Sequence, residues 1–569
     1  MNKYRFTGHR KVNNFIEFFL WAPVRRKVEL HIYHPFDKII PMKKDSYGYF
    51  TAKVECCETP FKYKYRINGR HEFPDPASFY QPDGVHECSQ TYLNSEFKWE
   101  DSKFDNHRLE DYIIYELHVG TFTDDGTFFK AAEKIPYLKE LGINAVEIMP
   151  VAQFPGVRNW GYDGVYPFAV QNSYGGPDGL KYFVNECHKN NVAVILDVVY
   201  NHLGPEGNYF SNFSWYFTSK YHTPWGDAIN FDDKYSDGVR NFFINNALYF
   251  LENFHIDALR LDAIHSIYDL SANHFLKELN SECKKLSSKL EKPLYLIAES
   301  DLNDTKIIDY TDKGGYGIDS QWLDDFHHAV WAYMTGETQG YYSDFGNIEQ
   351  IFQSISYGFV YRGNYSKFRK RCFGNDSSEF DGKNFVSFIQ NHDQVGNRMA
   401  GDRISHNIEI HKLKLISAFY ILSPYIPMIF MGEEYGEKNC FNYFVDHGDK
   451  NLLRAVSEGR KKEFREFYKK AEFKDPACKK TFESSKLNFD LIEKPFHKEI
   501  FCHYKKIIDL RKKYISYIMT GRKNINVILE NNILTLKYTL DKKKLVLKFN
   551  FSGNNTIMPG WSYTLKLEE

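Results

Sequence analysis

Four apolar runs of the chain each end in an acidic residue, and this pattern constrains the fold more than any other feature. The runs span residues 193–197, 256–262, 295–299 and 385–393, and they end in Asp197, Asp262, Glu299 and Asp393. Short, nearly continuous apolar runs are typical of strands buried on both faces, as in parallel sheets. Barrels and open sheets of the α/β class keep their active sites at the C-terminal ends of such strands. Several acids that meet there predict acid–base chemistry on an uncharged, polyhydroxylated substrate.

Strand-like and helical segments alternate from about residue 108 onward. Besides the four runs, strand-like segments lie at 112–118, 145–150, 318–322 and 427–432, and a charged, helix-prone insertion follows at 450–470. Eight strands that alternate with helices predict an α/β fold with a (β/α)₈ TIM barrel. An open doubly wound sheet is the alternative, although no Gly-rich phosphate-binding fingerprint follows any of the strands.

The chain is long enough for more than one domain, and the pattern predicts three. Residues 1–105 are predicted to form an immunoglobulin-like β-sandwich, because residues 28–33 alternate and residues 61–67 lead into an Asn-Gly turn. This sandwich is either a packing domain or a sugar-binding one. Residues 106–515 are assigned to the barrel with its insertions. Short alternating segments return after it and predict a small C-terminal β-domain at 516–569.

The composition argues against several classes of partner. Lys and Arg number 73 against 74 Asp and Glu, for a net charge of −1, which gives no attraction to nucleic acid or to an anionic membrane. No apolar stretch approaches the roughly 20 residues that span a bilayer, and no signal peptide is evident. The nine cysteines are odd in number and lack metal-ligand spacing. We therefore expect a cytoplasmic protein without a metal site.

The spacing of three residues predicts a pair of carboxylates with different tasks. Arg260 and Asp262 are two apart on one strand, so they project from the same face, and Arg260 should keep Asp262 ionised as a nucleophile. Glu299 has no basic neighbour in the sequence, so the nearby charge of Asp262 should raise its pKa and suit it to be a general acid. Neighbouring strands lie about 4.7–4.9 Å apart, which favours the roughly 5–5.5 Å carboxyl separation of retaining glycosidases over the roughly 6.5–9.5 Å of inverting ones.

Other polar residues at the same strand ends have more than one interpretation. Asp393, with His392 beside it, could stabilise an oxocarbenium-like transition state or bind sugar hydroxyls. Asn201 and His202 follow the third strand and form a candidate hydroxyl-binding pair. Asp197 is interpreted as structural, fixing the loop that carries His202. Arg260 and Asp262 could also be only a structural ion pair, and the histidines only satisfied polar groups, but their coincidence on one rim favours catalysis.

The same segments resemble the four signature segments of the α-amylase superfamily, in the same order. They are residues 197–202, 258–265, the strand that ends in Glu299, and 391–393. The resemblance implies that Asp262 is the nucleophile, Glu299 the acid/base and Asp393 the transition-state stabiliser. It further implies an aromatic platform under the sugar at Tyr162. Other residues implied to line this site are His202, Arg260, His265 and His392.

Within the superfamily, further segments resemble the malto-oligosyltrehalose trehalohydrolase family. They are 204–209, 222–226, 299–304, 321–328, 390–398 and 446–449, and the resemblance fades after about residue 515. It implies hydrolysis of the α-1,4 bond next to the terminal trehalose of malto-oligosyltrehalose, no cofactor or metal, and pairing with a malto-oligosyltrehalose synthase. It also implies a set of residues that recognise sugar around this bond, of which Phe326 could instead belong to the core. The set is Asp324, Asp325, Phe326, His327, His328, Gln394 and Asn397.

Three rival functions remain at this point. A 1,4-α-glucan (glycogen) branching enzyme shares the N-terminal sandwich and all three acids, but branching enzymes typically carry another acidic residue directly after each catalytic acid. Here Ser300 follows Glu299 and Gln394 follows Asp393. An ordinary α-amylase or debranching hydrolase is the second rival. The third is an inactive glucan-binding protein of amylase ancestry, which we would expect to have lost one of the acids.

Overall fold

The centre of the fold is a closed barrel of eight parallel strands, seen in a computed structural model that describes residues 5–467, 473–555 and 557–568. The strands follow one another around the barrel in chain order, and the last pairs with the first. They are β1 (Ile114–Leu117), β2 (Ala145–Ile148), β3 (Ala193–Val198), β4 (Ala258–Leu261), β5 (Tyr295–Ala298), β6 (Ser320–Trp322), β7 (Phe385–Ser387) and β8 (Ile426–Phe430). The predicted TIM barrel is confirmed, and the open sheet is wrong because the sheet closes on itself.

The barrel strands have the burial that their composition predicts. All residues of β1 to β4 and of β6 to β8 are buried, because one face of the barrel packs on helices and the other fills the interior. Every observed strand overlaps the run predicted for it. Only the run 385–393 is much longer than its strand, since β7 ends at Ser387.

Helices cover the outside of the barrel, and most successive strands are joined by at least one. The main helices are Ile135–Leu141, Gly176–Lys189, Ser236–Asn253, Phe275–Leu290, Asp324–Thr335, Ile348–Tyr357, Ile410–Ile421 and Pro495–Lys513. Between β5 and β6, two 3₁₀ turns at Thr305–Ile307 and Thr311–Lys313 stand in place of an α-helix. Gly142 ends the first of these helices at φ 106° and returns its N–H to Leu138, a left-handed conformation that favours glycine.

Antiparallel sheets flank the barrel at both ends of the chain, as predicted. Two sheets form the N-terminal sandwich, and Phe18 of one meets Tyr63 of the other with ring centroids 4.9 Å apart. Their strands are Gly8–Val12, Phe15–Trp21, Lys43–Lys44 and Tyr49–Glu55 in one sheet, and Val28–His34, Lys38–Pro41, Lys62–Ile67, His71–Phe73 and Ser89–Gln90 in the other. The C-terminal sheet contains Ile525–Glu530, Ile533–Leu540, Lys543–Asn550 and Tyr563–Glu568. The domain limits at residues 105 and 515, and the immunoglobulin-like type of the sandwich, stay predictions.

Several insertions rise from the C-terminal rim of the barrel. Three are two-stranded hairpins and one is a long helix. The hairpins pair Ala152–Gln153 with Tyr166–Val170, Phe217–Thr223 with Gly226–Ile229, and Tyr365–Ser366 with Arg371–Cys372. The helix Lys450–Phe467 falls within the predicted insertion at 450–470, whose last three residues lie outside the described part of the chain. Shorter helices are Val119–Phe122, Phe128–Ala132, His392–Gly396, Ile404–Asn407, Lys479–Glu483 and Ile515–Ile518.

Candidate active site

Asp262 directly follows β4, at the C-terminal rim of the barrel. Its backbone N–H still pairs with Val198 of β3, which fixes the direction of the side chain. One carboxylate oxygen accepts a hydrogen bond from Nη1 of Arg260 at 2.9 Å, and the other accepts from Nδ2 of Asn201 at 2.7 Å. The residue is 8% exposed. The two donors hold both oxygens and so fix the orientation of the carboxylate.

Glu299 follows β5, next to Asp262. Its Oε2 accepts a hydrogen bond from the backbone N–H of Ala263 at 2.5 Å, and Ala263 adopts a left-handed φ of 37° in the turn after β4. Burial raises the pKa of Glu299 to about 8, and the nearby charges of Asp262 and Asp393 also raise it, whereas Arg260 opposes them. Such a carboxyl group is protonated at neutral pH, as a general acid must be.

Arg260 joins the acids of three neighbouring strands. Its Nη1 donates to Oδ2 of Asp197 at 2.7 Å, and its Nη2 lies 3.2 Å from Oε2 of Glu299. The guanidinium is fully buried and lies over the ring of Trp322, 4.2 Å from the centroid. Glu299 therefore has a basic neighbour in space although it has none in the sequence. Because one guanidinium touches both Asp262 and Glu299, the two carboxyl groups face the same space.

Asp197 is part of this network of charged and polar groups. Its Oδ2 also accepts a hydrogen bond from the hydroxyl of Tyr162 at 2.7 Å, so its partners are Arg260 and Tyr162. The interpretation of Asp197 as structural agrees with these contacts. Its link to His202 is indirect and runs through Tyr162, whose carbonyl is bonded to Nε2 of His202.

Asp393 reaches the rim from a helix and not from a strand. Asn391 caps the short helix His392–Gly396, and its Oδ1 accepts from the backbone N–H groups of Asp393 and Gln394, both at 3.0 Å. The run 385–393 was predicted as a single strand, and this was wrong for its last six residues. The Asp393 side chain is 39% exposed and lies 3.6 Å from Nε2 of His392. Nδ2 of Asn397 donates to it at 3.1 Å.

Tyr162 lies against His392, and His202 lies against Tyr162. The Tyr162 ring stacks on His392 with centroids 5.3 Å apart, and its hydroxyl lies 2.8 Å from Nε2 of that histidine. Nε2 of His202 hydrogen-bonds to the backbone carbonyl of Tyr162 at 3.0 Å. Trp225, at the tip of the hairpin after β3, stacks face to face on the His202 ring at 4.3 Å.

A cleft of about 440 Å³ opens beside Glu299 and Asp393. Four residues predicted to bind substrate line it, namely Asp324, His328, Gln394 and Asn397. Nε2 of Gln394 donates to Oδ1 of Asp324 at 3.1 Å. Burial raises the pKa of Asp324 to about 7, with Asp301 and Asp393 adding to the effect. His265 lies near the cleft, where its Nδ1 accepts from the backbone N–H of Asp301 at 3.4 Å.

Three residues predicted to bind substrate lie in the wall of the barrel instead. Asp325 is buried and its Oδ2 accepts from Nδ2 of Asn303 and from two backbone N–H groups. Phe326 is fully buried and stacks on Phe419 at 5.4 Å. His327 is fully buried and bonded to the carbonyl of Ile389. The structure does not bring these three into the cleft with Asp324 and His328, because their side chains are buried against other residues of the protein.

The cleft has further lining residues that the sequence did not reveal. The guanidinium of Arg369 forms a bidentate ion pair with Asp301 across the opening, with one contact of 2.9 Å between Nη1 and Oδ2. Nη1 of Arg398 donates to Oε2 of Glu337 at 2.8 Å. Phe368 and Tyr341 complete this side with their rings. They lie on rim insertions or connecting loops, where no strand periodicity marks them. Asp301 and Arg398 fall within the segments 299–304 and 390–398 that resemble the family, but no role was predicted for them, and the aromatic pair Tyr341-Tyr342 gives a local signal.

The described part of the chain contains neither a metal-binding cluster nor a membrane-spanning helix. In residues 5–467, 473–555 and 557–568, no group of three His, Cys, Asp or Glu side chains is arranged to hold a metal ion. Over the same ranges, no helix is long and apolar enough to cross a membrane.

The fold and the acids at its rim agree with what comparison with known proteins finds. The family model for the α-amylase catalytic domain matches residues 76–228. The crystal structure of a candidate α-amylase from Salmonella typhimurium superposes with a TM-score of 0.92 at 34% identity, covering 99% of this chain and all of that one. The chain is a glycoside hydrolase of the α-amylase superfamily.

Two curated relatives identify the family within this superfamily to which the chain belongs. The malto-oligosyltrehalose trehalohydrolase of Saccharolobus solfataricus is 45% identical, with 99% of this chain and 97% of the relative covered. The protein of the same name from Arthrobacter ramosus is 41% identical over 87% of this chain and 86% of the relative. The chain belongs to the malto-oligosyltrehalose trehalohydrolase family.

Proposed function

We propose that the protein hydrolyses the α-1,4 bond next to the terminal trehalose of malto-oligosyltrehalose and releases free trehalose. The observation that carries this proposal is the pair Asp262 and Glu299, joined by Arg260 at the edge of a cleft and placed on a chain that matches trehalohydrolases over almost its full length. No catalytic acid is missing, which argues against an inactive glucan-binding protein. The full-length relatives favour the trehalohydrolase over the branching enzyme.

In the proposed reaction the two carboxyl groups act in turn. Glu299, neutral because burial raises its pKa to about 8, gives its proton to the glycosidic oxygen as trehalose leaves. Asp262 attacks the anomeric carbon and forms a covalent glycosyl ester. Glu299 then removes a proton from water, which displaces Asp262 and restores the enzyme. Two displacements give net retention of configuration.

The remaining residues are proposed to bind the sugars on each side of the cleaved bond. Asp393 would stabilise the positive charge that develops on the sugar ring, since its carboxylate is partly exposed to the cleft. Other residues proposed around the cleaved bond are Tyr162, His202, Arg260, His265 and His392. Asp324, His328, Gln394 and Asn397 line the cleft beside Glu299 and are proposed to recognise sugar there.

The setting of the reaction is also a proposal. The substrate must be supplied by an enzyme that makes a terminal trehalose on an α-glucan, so a malto-oligosyltrehalose synthase is the proposed functional partner in trehalose biosynthesis. The nine cysteines are all free thiols, which supports a reducing cytoplasm as the site of action.

Product analysis tests the proposal directly. Malto-oligosyltrehalose and, separately, amylose should be incubated with the protein and the products identified. Free trehalose from the first and no new α-1,6 linkages from the second are expected. New α-1,6 linkages would move the assignment to a branching enzyme. NMR of the newly formed glucan end tests retention, and a β-configured end would exclude the double displacement.

A further inference from the structure

Glu116 lies beneath the site and binds His392 through both of its oxygens. It belongs to β1 and is 1% exposed. Its Oε1 lies 2.5 Å from Nδ1 of His392, and its Oε2 accepts from the backbone N–H of the same residue at 3.1 Å. Because a carboxylate can only accept, the Nδ1 atom of His392 carries a proton.

The opposite nitrogen of His392 carries a proton as well. Tyr162 is its partner there, with 2.8 Å between the hydroxyl oxygen and Nε2. The only proton of that hydroxyl is donated to Oδ2 of Asp197 at 2.7 Å. The tyrosine oxygen must therefore accept from Nε2. With both ring nitrogens donating, His392 is an imidazolium ion.

We propose that Glu116 is a positioning residue of the reaction, which keeps His392 doubly protonated so that the imidazolium holds Tyr162 and faces Asp393. This inference rests on the proposed function and adds a residue to it. Glu116 does not touch the reacting atoms. It acts through His392, whose Nε2 lies 3.6 Å from Oδ2 of Asp393, and through the stack of His392 on the Tyr162 ring.

Several titratable groups surround His392, and Glu116 is the acid that hydrogen-bonds directly to the buried side of its ring. Burial alone would lower the pKa of His392, but Asp393 and Glu116 together raise it to about 9. Arg260 opposes them as a nearby cation. Burial lowers the pKa of His118 to about 4, so this histidine adds no charge at neutral pH. The titratable or charged groups that face His392 are Glu116, His118, Glu147, Tyr162, Arg260 and Asp393.

Glu147 provides a matched control on the neighbouring strand. It pairs with Glu116 in register across β1 and β2 and is likewise 1% exposed. Within the described residues, neither of its carboxyl oxygens has a hydrogen-bond partner. Burial raises its pKa well above the usual range, and the charge of Glu116 adds to this. Glu147 is thus a neutral acid, and a glutamine should replace it with little change.

The test compares Glu116→Gln, Glu147→Gln and the unchanged protein on malto-oligosyltrehalose over a range of pH. Glu116→Gln should lower kcat about 10–100-fold and should change KM far less. The loss in kcat should not exceed the loss seen when a group that donates directly to the transition state is removed. In the unchanged protein Glu299 sets the alkaline limb of the rate profile at about pH 8. In Glu116→Gln this limb should move to a lower pH, because without the carboxylate His392 loses its proton more readily than Glu299 does. Activity should recover as the pH falls. Glu147→Gln should keep the original profile.

Two results would overturn the inference. One is a Glu116→Gln enzyme with an unmoved alkaline limb, and the other is a Glu147→Gln enzyme with the same loss and shift. If Glu116→Gln does not fold, judged by circular dichroism and Tm, Glu116→Asp carries the test. It keeps the charge, so its limb should stay in place while kcat falls, and a limb shifted downward contradicts the proposal. If the unchanged protein releases no trehalose, the proposed function fails; a normal Glu116→Gln enzyme refutes only this inference.

Discussion

Nη2 of Arg460 donates a 2.7 Å hydrogen bond to Oδ1 of Asn397. The amide nitrogen of Asn397 in turn donates to Asp393 at 3.1 Å. Arg460 belongs to the inserted helix Lys450–Phe467, and its guanidinium lies over the ring of Tyr443, 4.4 Å from the centroid. The helix after β8 therefore fixes which end of the Asn397 amide faces Asp393. A flipped amide would turn its oxygen toward that carboxylate and repel it.

We predict that Arg460→Ala lowers kcat roughly tenfold. The expected loss corresponds to about 1.4 kcal/mol, close to the lower limit for a hydrogen bond to a charged group. Lys461→Ala, at the next position of the same helix and exposed, is the control and should be neutral. Steady-state kinetics on malto-oligosyltrehalose measure both, and equal effects of the two changes would contradict the role of Arg460.

Asp262→Asn should lower kcat by at least about 10³-fold, by analogy with the removal of other nucleophiles. The fold should survive, because the introduced side-chain amide has nearly the shape of the carboxylate and its oxygen can still accept from Nδ2 of Asn201. Asp262→Ala leaves space beside the anomeric carbon, so added azide should restore turnover and give a β-glycosyl azide. NMR of that product checks the assignment, and an Asp262→Ala enzyme with unchanged kcat would rule it out.

The rate should fall as the pH rises through about 8. Burial raises the pKa of Glu299 to about 8, and only the protonated form can protonate the leaving oxygen. This alkaline limb should appear in kcat/KM on malto-oligosyltrehalose. It should be much weaker on an α-maltosyl fluoride, whose leaving group needs no proton. Identical limbs on both substrates would assign the titration to another group.

The stability of the fold should also depend on pH through Glu433, a buried acid that does not line the cleft. Burial raises its pKa to about 8, although Tyr420 and Tyr504 donate to its Oε1 at 2.7 and 2.9 Å. A raised carboxyl pKa gives stability that is complete below the unfolded pKa of about 4.3 and is lost as the pH rises through about 8. Glu433→Gln should therefore flatten the decline of Tm between pH 5 and 9. The exposed Glu379→Gln should leave it unchanged, and parallel Tm curves for all three proteins would contradict this.

Phe326→Ala should affect stability and not substrate binding. Removal of a buried Phe side chain typically lowers the free energy of unfolding by about 3–5 kcal/mol, so a clear fall in Tm is expected with KM unchanged. His328 lies two residues further along the same helix and lines the cleft. His328→Ala should therefore raise KM and leave Tm nearly unchanged. Thermal unfolding and KM on malto-oligosyltrehalose separate the two, and a raised KM for Phe326→Ala would return that residue to the sugar site.

The sequence predicted the barrel and the rim positions of Asp262 and Glu299, because each directly follows a strand. Asp393 was harder, since five residues separate it from the end of β7. The segment 324–328 shows why pattern alone fell short. Motif resemblance selects a continuous stretch, but a helix presents only positions three or four apart on one face, so the helix that begins at Asp324 cannot turn the whole stretch toward the cleft. Helical spacing would have kept Asp324, His327 and His328 and removed Asp325 and Phe326. The burial of His327, which hydrogen-bonds to the carbonyl of Ile389, follows only from the structure.

Contacts between segments that are distant along the chain could not be predicted from the sequence, for a different reason. Arg369 and Arg460 lie 68 and 63 residues along the chain from their partners Asp301 and Asn397. The local composition of a hairpin or a charged helix does not predict which residue so far along the chain will be its partner. Glu116 and Glu147 were equally hidden, because both stand inside apolar strands where a buried acid gives no periodic signal.

In the proposed double displacement, the contacts of Arg260 with both Asp262 and Glu299 would also set the timing of the two half-reactions. Once Asp262 has become an ester its negative charge is gone, while the guanidinium still stands 3.2 Å from Glu299. The surroundings of Glu299 then become less negative, because Asp262 no longer opposes the effect of Arg260. The Glu299 carboxyl group therefore gives up its proton more readily and can activate water. Bond formation at one strand end would thereby change an acid into a base at the end of the next strand.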